Sequence, residues 1–206
     1  MASTRKYEIT TITKQHYGHT LFRIRALRSF NDVKEGSIGG WIEKESNLDQ
    51  DGSCWIYDDA KVYDDARITG SAIINKSAEV FESARVSQNA EVSGHAMIYG
   101  KAEVSGRAFI SGDARMYGRA EASQIVIIND SAQIHGIATI SGAAKIYGNA
   151  EVGEQAQVSG FSRIYGNAQI YGKAKIKGDA LVRGNVKACG DTIVDGYVVL
   201  DGDIYV

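Results

Sequence analysis

Four histidines, His16, His19, His95 and His135, are the side chains of this chain best suited to acid–base chemistry. An imidazole titrates near neutrality, so a positioned one can serve as general base toward a hydroxyl or an amine. As metal ligands they are sparse. His16-x-x-His19 alone is not a ligand set, and the spacing of His95 and His135 brings no third histidine, so no metal site is expected. The two cysteines, Cys54 and Cys189, fall at an inward and an outward position of the repeat described next, which sets their side chains apart and predicts no disulfide. No phosphate-cradling loop or nucleophile elbow occurs. Arg23, Arg25 and Arg28, beside Phe22 and Phe30, combine charge with aromatic rings and suit an anionic partner, but the patch is small for a nucleic-acid binder.

The elements that must position these residues follow from one pattern. From Cys54 to Val206 a six-residue phrase repeats without insertion, as in Ala90-Glu91-Val92-Ser93-Gly94-His95 and Ala96-Met97-Ile98-Tyr99-Gly100-Lys101. A period this short predicts an array of stacked units. The aliphatic residue of each hexad and the small residue two before it share a strand face and point inward, while the residue between them points out. Of the 23 glycines, all but Gly18, Gly36, Gly39, Gly40 and Gly153 occupy the hexad's corner position, where a positive φ costs glycine little. Three such sides make a triangular coil of eighteen residues. The rod then has about eight and a half coils and a length of roughly 40 Å at ~4.8 Å per coil. Two lapses compensate: Ala122 replaces an aliphatic where Val126 replaces an alanine, and Ala188 is matched by Val186, so core volume is kept.

Residues 1–50 do not obey the hexad. Two β-prone runs, 7–12 and 21–28, flank Tyr17-Gly18-His19 and predict a hairpin that covers the first open coil. The chain is therefore read as all-β, with a β-hairpin cap and lead-in segment over 1–50 and a parallel β-helix over 51–206.

The lead-in carries a specific resemblance. Phe30-Asn31-Asp32-Val33-Lys34-Glu35-Gly36, Gly39-Gly40-Trp41-Ile42, Asn47-Leu48 and Gly52-Ser53-Cys54-Trp55-Ile56-Tyr57-Asp58 resemble YdcK-like hexapeptide-repeat proteins, which bacteria and prophages carry. The resemblance is close over the lead-in and generic over the repeats. It implies a left-handed winding of the β-helix and a fold shared with hexapeptide acetyltransferases, which use acetyl-CoA and a histidine base in a cleft between subunits. No catalytic residues of that family are established for transfer, and fold does not fix function. If the chain is such an enzyme, His135 or His95 is the expected base. Uninterrupted coils leave no extruded loop to wall a pocket, which weighs toward a binding rod.

The outer sides differ. One carries Thr69, Ser87, Ser105, Ser123, Ser141 and Ser159 among charges and reads as solvated. The second presents Tyr63, Phe81, Tyr99, Tyr117, His135, Gly153, Tyr171 and Cys189 at one position per coil, with Met97 beside Tyr99. Stacked rings stabilise a strand surface, and exposed ones form recognition surfaces; this side, with Arg23 and Arg25 of the head, is the candidate binding surface. The third mixes Trp55, Ile73, Phe109, Ile127, Leu181 and Val199, with Ile125, Phe161 and Tyr197 at its leading corner. Outward apolar residues at this density predict lateral homo-oligomerisation, as a trimer or dimer. An end-to-end contact through the last coil is a second expected interface.

A net charge of −2, no apolar run of membrane-spanning length and only two cysteines fit a cytoplasmic protein with no membrane. Charge is uneven, with six basic residues against the single Glu8 in residues 1–30 and an acidic end after Lys187. The functional expectation is a non-catalytic, homo-oligomeric binding or assembly protein without cofactor, with itself and a further protein as candidate partners, against the alternative of an acetyl-CoA-dependent acetyltransferase.

Overall fold

A computed structural model describes residues 5–206. Strands β1 (Tyr7–His16) and β2 (His19–Ala26) pair antiparallel across the turn at Tyr17-Gly18, and β3 (Ile38–Ile42) lies antiparallel to β2 on one edge and parallel to the Lys61–Val62 strand on the other. From Trp55 onward the chain is a succession of two-residue strands. Each as far as Leu181–Val182 pairs in parallel with the strand eighteen residues further on, as Met97 with Arg115 and Ile98 with Met116. Three sheets result, of eleven, nine and eight strands, the first of which includes the hairpin. The molecule is an all-β solenoid of stacked three-sided coils, as the hexad predicts.

Such short strands persist because every coil lends its backbone to the next. The Met97 N–H donates to the Ala114 carbonyl at 2.9 Å, and the same bond recurs once per side along the rod. Isolated pairs this short would not hold. Inside, Val80, Ile98, Met116, Ile134, Val152 and Ile170 form one fully buried column with alanines alongside. Burying each aliphatic contributes ~1.5 to 3 kcal/mol. Ala122, Val126, Ala188 and Val186 are all fully buried in the same core. Cys54 is buried, Cys189 is partly exposed, and both are free thiols.

At corners without glycine the backbone still takes a positive φ. It does so at Asp58, Asp64, Lys76, Glu82, Gln88, Gln124, Asp130 and Glu154. At six of them, Asp58, Asp64, Gln88, Gln124, Asp130 and Glu154, the side chain accepts the N–H of the corner one coil on: Lys76, Glu82, Gly106, Gly142, Gly148 and Gly172 respectively. A left-handed non-glycine residue costs ~1 to 2 kcal/mol, and a hydrogen bond returning about 0.5 to 1.5 kcal/mol offsets most of it.

The head covers the start of the core. Tyr7, Ile24, Ala26 and Val33 belong to the same buried cluster as Cys54, Trp55 and Ile56. The Tyr7 hydroxyl donates toward two main-chain carbonyls, at Leu48 (2.7 Å) and Glu45 (3.0 Å). Lys6 is fully buried and its ammonium donates to the Cys54 carbonyl at 3.0 Å and the Asp51 carbonyl at 3.3 Å. One outward assignment changes here. Trp55, read from its phase as an exposed residue of the third side, is 1% exposed because Phe30 and Tyr7 of the head pack edge-on against it at 5.4 and 6.2 Å.

Candidate functional site

The register of eighteen places one aromatic ring per coil on the same side of the eleven-stranded sheet. Tyr63, Phe81, Tyr99, Tyr117 and His135 stack with ring centroids 5.0 to 5.2 Å apart, the first four within 6° of parallel and His135 at 17° to Tyr117. The spacing is close to the ~4.8 Å coil repeat, so the backbone sets the stack and the rings lie flat on one another. Their faces are occupied by neighbouring rings, and what meets solvent is an array of ring edges and hydroxyls. Burial pushes the Tyr99 phenol up, with a further push from Tyr117.

Tyr63 is the exception at the head end. Sequence phase puts it in the outer ladder, yet it is 4% exposed, because the hairpin turn folds over it and His16 and His19 pack on its ring at 5.5 and 5.0 Å. Its hydroxyl donates to Glu79 (3.3 Å), a carboxylate that also meets Lys61 (3.2 Å) and His16 (3.1 Å). The open part of the ladder therefore begins at Phe81. Met97 lies beside it, half-buried.

The ladder breaks once, and the break is the most site-like feature of this side. At the coil after His135 the ladder position is Gly153, the one rod glycine outside the corner phase. A Cβ there would lie 2.3 Å from His135 Cε1 and 2.6 Å from Nε2, so the imidazole occupies the space that every other coil gives to a side chain. Tilted into that notch, His135 meets the Glu151 carboxylate, Nε2 to Oε1 at 2.9 Å, and reaches Tyr171 beyond it at 6.1 Å between ring centroids. Burial and then the Glu151 hydrogen bond push the Tyr171 phenol well up, so it stays protonated as a donor. A histidine held by a carboxylate, with its ring edge toward solvent, is a positioned base. His95, the other candidate, stands exposed at a corner, and among the described residues neither a side-chain hydrogen bond nor an ion pair holds it. Of the two, the geometry equips His135 alone.

On the nine-stranded sheet, Ile73, Phe109, Ile127 and Leu181 are partly covered by their coil neighbours. Ile125, Phe161, Tyr197 and Val199 are 59, 68, 92 and 60% exposed. Phe161, Arg163, Asp179, Leu181, Tyr197 and Val199 bound an open groove of about 400 Å³. Tyr147 and Tyr165 stack nearby at 4.7 Å.

The basic head is engaged internally. The Arg23 guanidinium lies 4.2 Å from the centroid of the Trp41 ring and donates to the Gly39 carbonyl at 2.9 Å and to that of Asp58. Arg25 pairs with Glu8 through Nε at 2.7 Å. Both arginines read as contacts for an anionic partner thus already have partners within the head.

Two pairings escaped the sequence reading, His135 with Glu151 and Tyr63 with Glu79. Each lies sixteen residues apart. The signal was present: in an eighteen-residue coil, residue i+16 sits diagonally across the next strand from i, and Gly153 was already out of phase.

No family model matches the chain. Over 60 residues it is 43% identical to an Escherichia coli (strain K12) protein described as "Uncharacterized acetyltransferase YdcK", a stretch that is 26% of this chain and 18% of that relative. The chain thus spans less than a fifth of the length of the curated relative it matches. Among the described residues no helix is long and apolar enough to cross a membrane. With the repeat, the three parallel sheets and the matched stretch together, the chain is a hexapeptide-repeat β-solenoid, similar to YdcK over that stretch.

Proposed function

We propose that the protein is a binding and assembly rod that associates with further copies of itself through the apolar strip of the nine-stranded sheet and presents the aromatic ladder outward. The observation that carries this is the strip itself. Ile125, Phe161, Tyr197 and Val199 stand more than half exposed on one side and corner of the rod, while the other comparably exposed rod residues, Ile137, Ile193 and Tyr205, lie scattered at other positions of the coil. A contiguous apolar surface of this kind is costly in water and is the usual mark of an interface. A second copy suits it because Ile125, Phe161 and Tyr197 recur at one phase of the coil, two coils apart along the axis, so a parallel neighbour meets them in the same register, and Arg163 and Asp179 in the groove supply self-complementary charge. The test is native mass spectrometry of the wild type and of a Phe161→Ser, Tyr197→Ser double variant, both with and without acetyl-CoA. A closed oligomer that falls to monomer in the variant supports the reading; a monomeric wild type overturns it.

One observation favours a second reading, acetyl-CoA-dependent acyl transfer. His135 is oriented by Glu151 in a notch made by Gly153, and the relative's name points the same way. The imidazole would take the proton of an acceptor hydroxyl or amine, with Glu151 steadying the imidazolium. A cleft would come from the neighbouring copy, since one rod offers only a surface. In the same experiment, acetyl-CoA bound to the oligomer would move this reading to first place, and turnover lost in His135→Gln without loss of fold would establish it.

A further inference from the structure

We propose that His19, Glu43 and Asp64 form a binding site for a divalent zinc-class cation at the junction of hairpin and rod. The three come from separate segments: His19 opens β2, Glu43 follows β3 directly, and Asp64 is a corner of the rod's first coils. Folding the hairpin onto the sheet brings them together. His19 Nδ1 lies 3.0 Å from Glu43 Oε1, His19 Nε2 lies 3.7 Å from Asp64 Oδ1, and one donor atom from each residue falls within 4.8 Å of the others. Among the described residues this is the one such group.

The surroundings are those of a supported site. The Asp64 main-chain N–H donates to Glu43 Oε2 at 2.7 Å, which fixes that carboxylate and leaves Oε1 turned to the imidazole. Tyr63 packs on the His19 ring at 5.0 Å from the side of the ladder. Supporting contacts of this kind set the orientation of metal ligands. All three side chains are about 30% exposed, so the group opens to water on one side and leaves a coordination position for it. Charge points the same way. Two carboxylates face one imidazole; Lys44 donates to Asp65 at 2.7 Å, though its charge also reaches Glu43 and Asp64, and Lys61 pairs with Glu79 at 3.2 Å. One nitrogen and two oxygens, contracting to the ~2.0 to 2.2 Å of zinc–ligand bonds, suit a borderline ion over magnesium, which keeps its waters and seldom takes imidazole. Because the ligands lie on both partners of the junction, binding would fasten the head to the rod and raise the stability of the folded form. Sequence spacing hid the set, since only one histidine takes part and its partners lie 24 and 45 residues away.

The test uses the whole chain, stripped of metal, titrated with zinc chloride by calorimetry and melted with and without zinc. The expected result is one zinc per chain and a higher melting temperature with zinc. His19→Gln or Asp64→Asn should weaken binding by more than the about 10- to 100-fold that loss of a supporting group costs, and His95→Gln with His135→Gln should leave it unchanged. Asp64→Asn keeps the main-chain N–H that Glu43 accepts from, so it decides the matter even if His19→Gln folds poorly. No zinc uptake by the wild type, uptake equal in Asp64→Asn, or uptake lost in the His95, His135 double variant would each overturn the proposal.

Discussion

Gly153 is where a single missing side chain changes the chemistry of the surface. Elsewhere on that side each ring leans on the next, but here the space goes to His135, which gains Glu151 as a partner. Two opposing effects meet in Gly153→Ala. Removing glycine's freedom in the unfolded chain favours the variant by ~0.4 to 1 kcal/mol, while a Cβ 2.3 Å from the imidazole forces the ring out and forfeits a hydrogen bond worth ~1 kcal/mol or somewhat more to a charged partner. Stability should therefore change by less than about 1 kcal/mol in denaturant unfolding. The histidine ring should report the loss clearly, with the long-range nitrogen–proton spectrum of His135 shifting to that of an unbonded imidazole. An unchanged imidazole spectrum would mean that the notch does not hold the ring. The pairing was partly readable from sequence. Gly153 stood out of phase and His135 was a candidate base, but the value of the pair depends on how far the imidazole tilts, which no spacing specifies.

At the scale of elements, the rod and the head differ in how much of their structure is local. Rod strands, corners and inward columns all repeat at a period visible in the chain, and the structure reproduces them down to the buried Val126 and Val186. The hairpin too announces itself by Tyr17-Gly18 between β-prone runs. Its docking does not, because the contacts that bury Trp55 and Tyr63 span roughly 25 to 50 residues and join unlike surfaces, so both residues look outward when judged by phase alone. The same docking builds a polar cluster around Asp59, which accepts from Trp41 Nε1 at 2.7 Å and from Lys14 at 3.0 Å. Partial burial pulls the Asp59 carboxyl upward, yet the hydrogen bonds from Lys14 and Trp41 prevail and hold it below the usual carboxylate range. A carboxyl depressed in the folded state adds stability above its unfolded value of about 3.9, and that stability disappears as pH falls through the lower folded value. Thermal melts between about pH 5 and pH 2 should thus show the wild type losing more stability than Asp59→Asn. Because Asp59 is 47% exposed, the difference should be small and should shrink in high salt. Equal losses in the two proteins would remove Asp59 from the account of how the head is held.

For the whole molecule, the consistent feature is that almost every rod contact, backbone or side chain, joins residues about eighteen apart. Stability in such an array is a sum over neighbours, with no central core on which all parts depend. The arrangement makes length a quantity that can be edited in fixed steps. Excising residues 100–117 would remove one whole turn and restore the strand pairing, the buried columns and the ring stack, with Tyr99 now resting on His135. That variant should fold, keep its strand signal per residue and melt within a few degrees of the parent. Excising 100–116, one residue fewer, would turn the inward columns outward beyond the cut, and cooperative melting should be lost. If both shortened chains behaved alike, the coil would not be the unit of construction. As built, the rod is graduated like a ruler in steps of ~4.8 Å, and the distance between any two of its coils can be changed by adding or dropping turns without redesigning either.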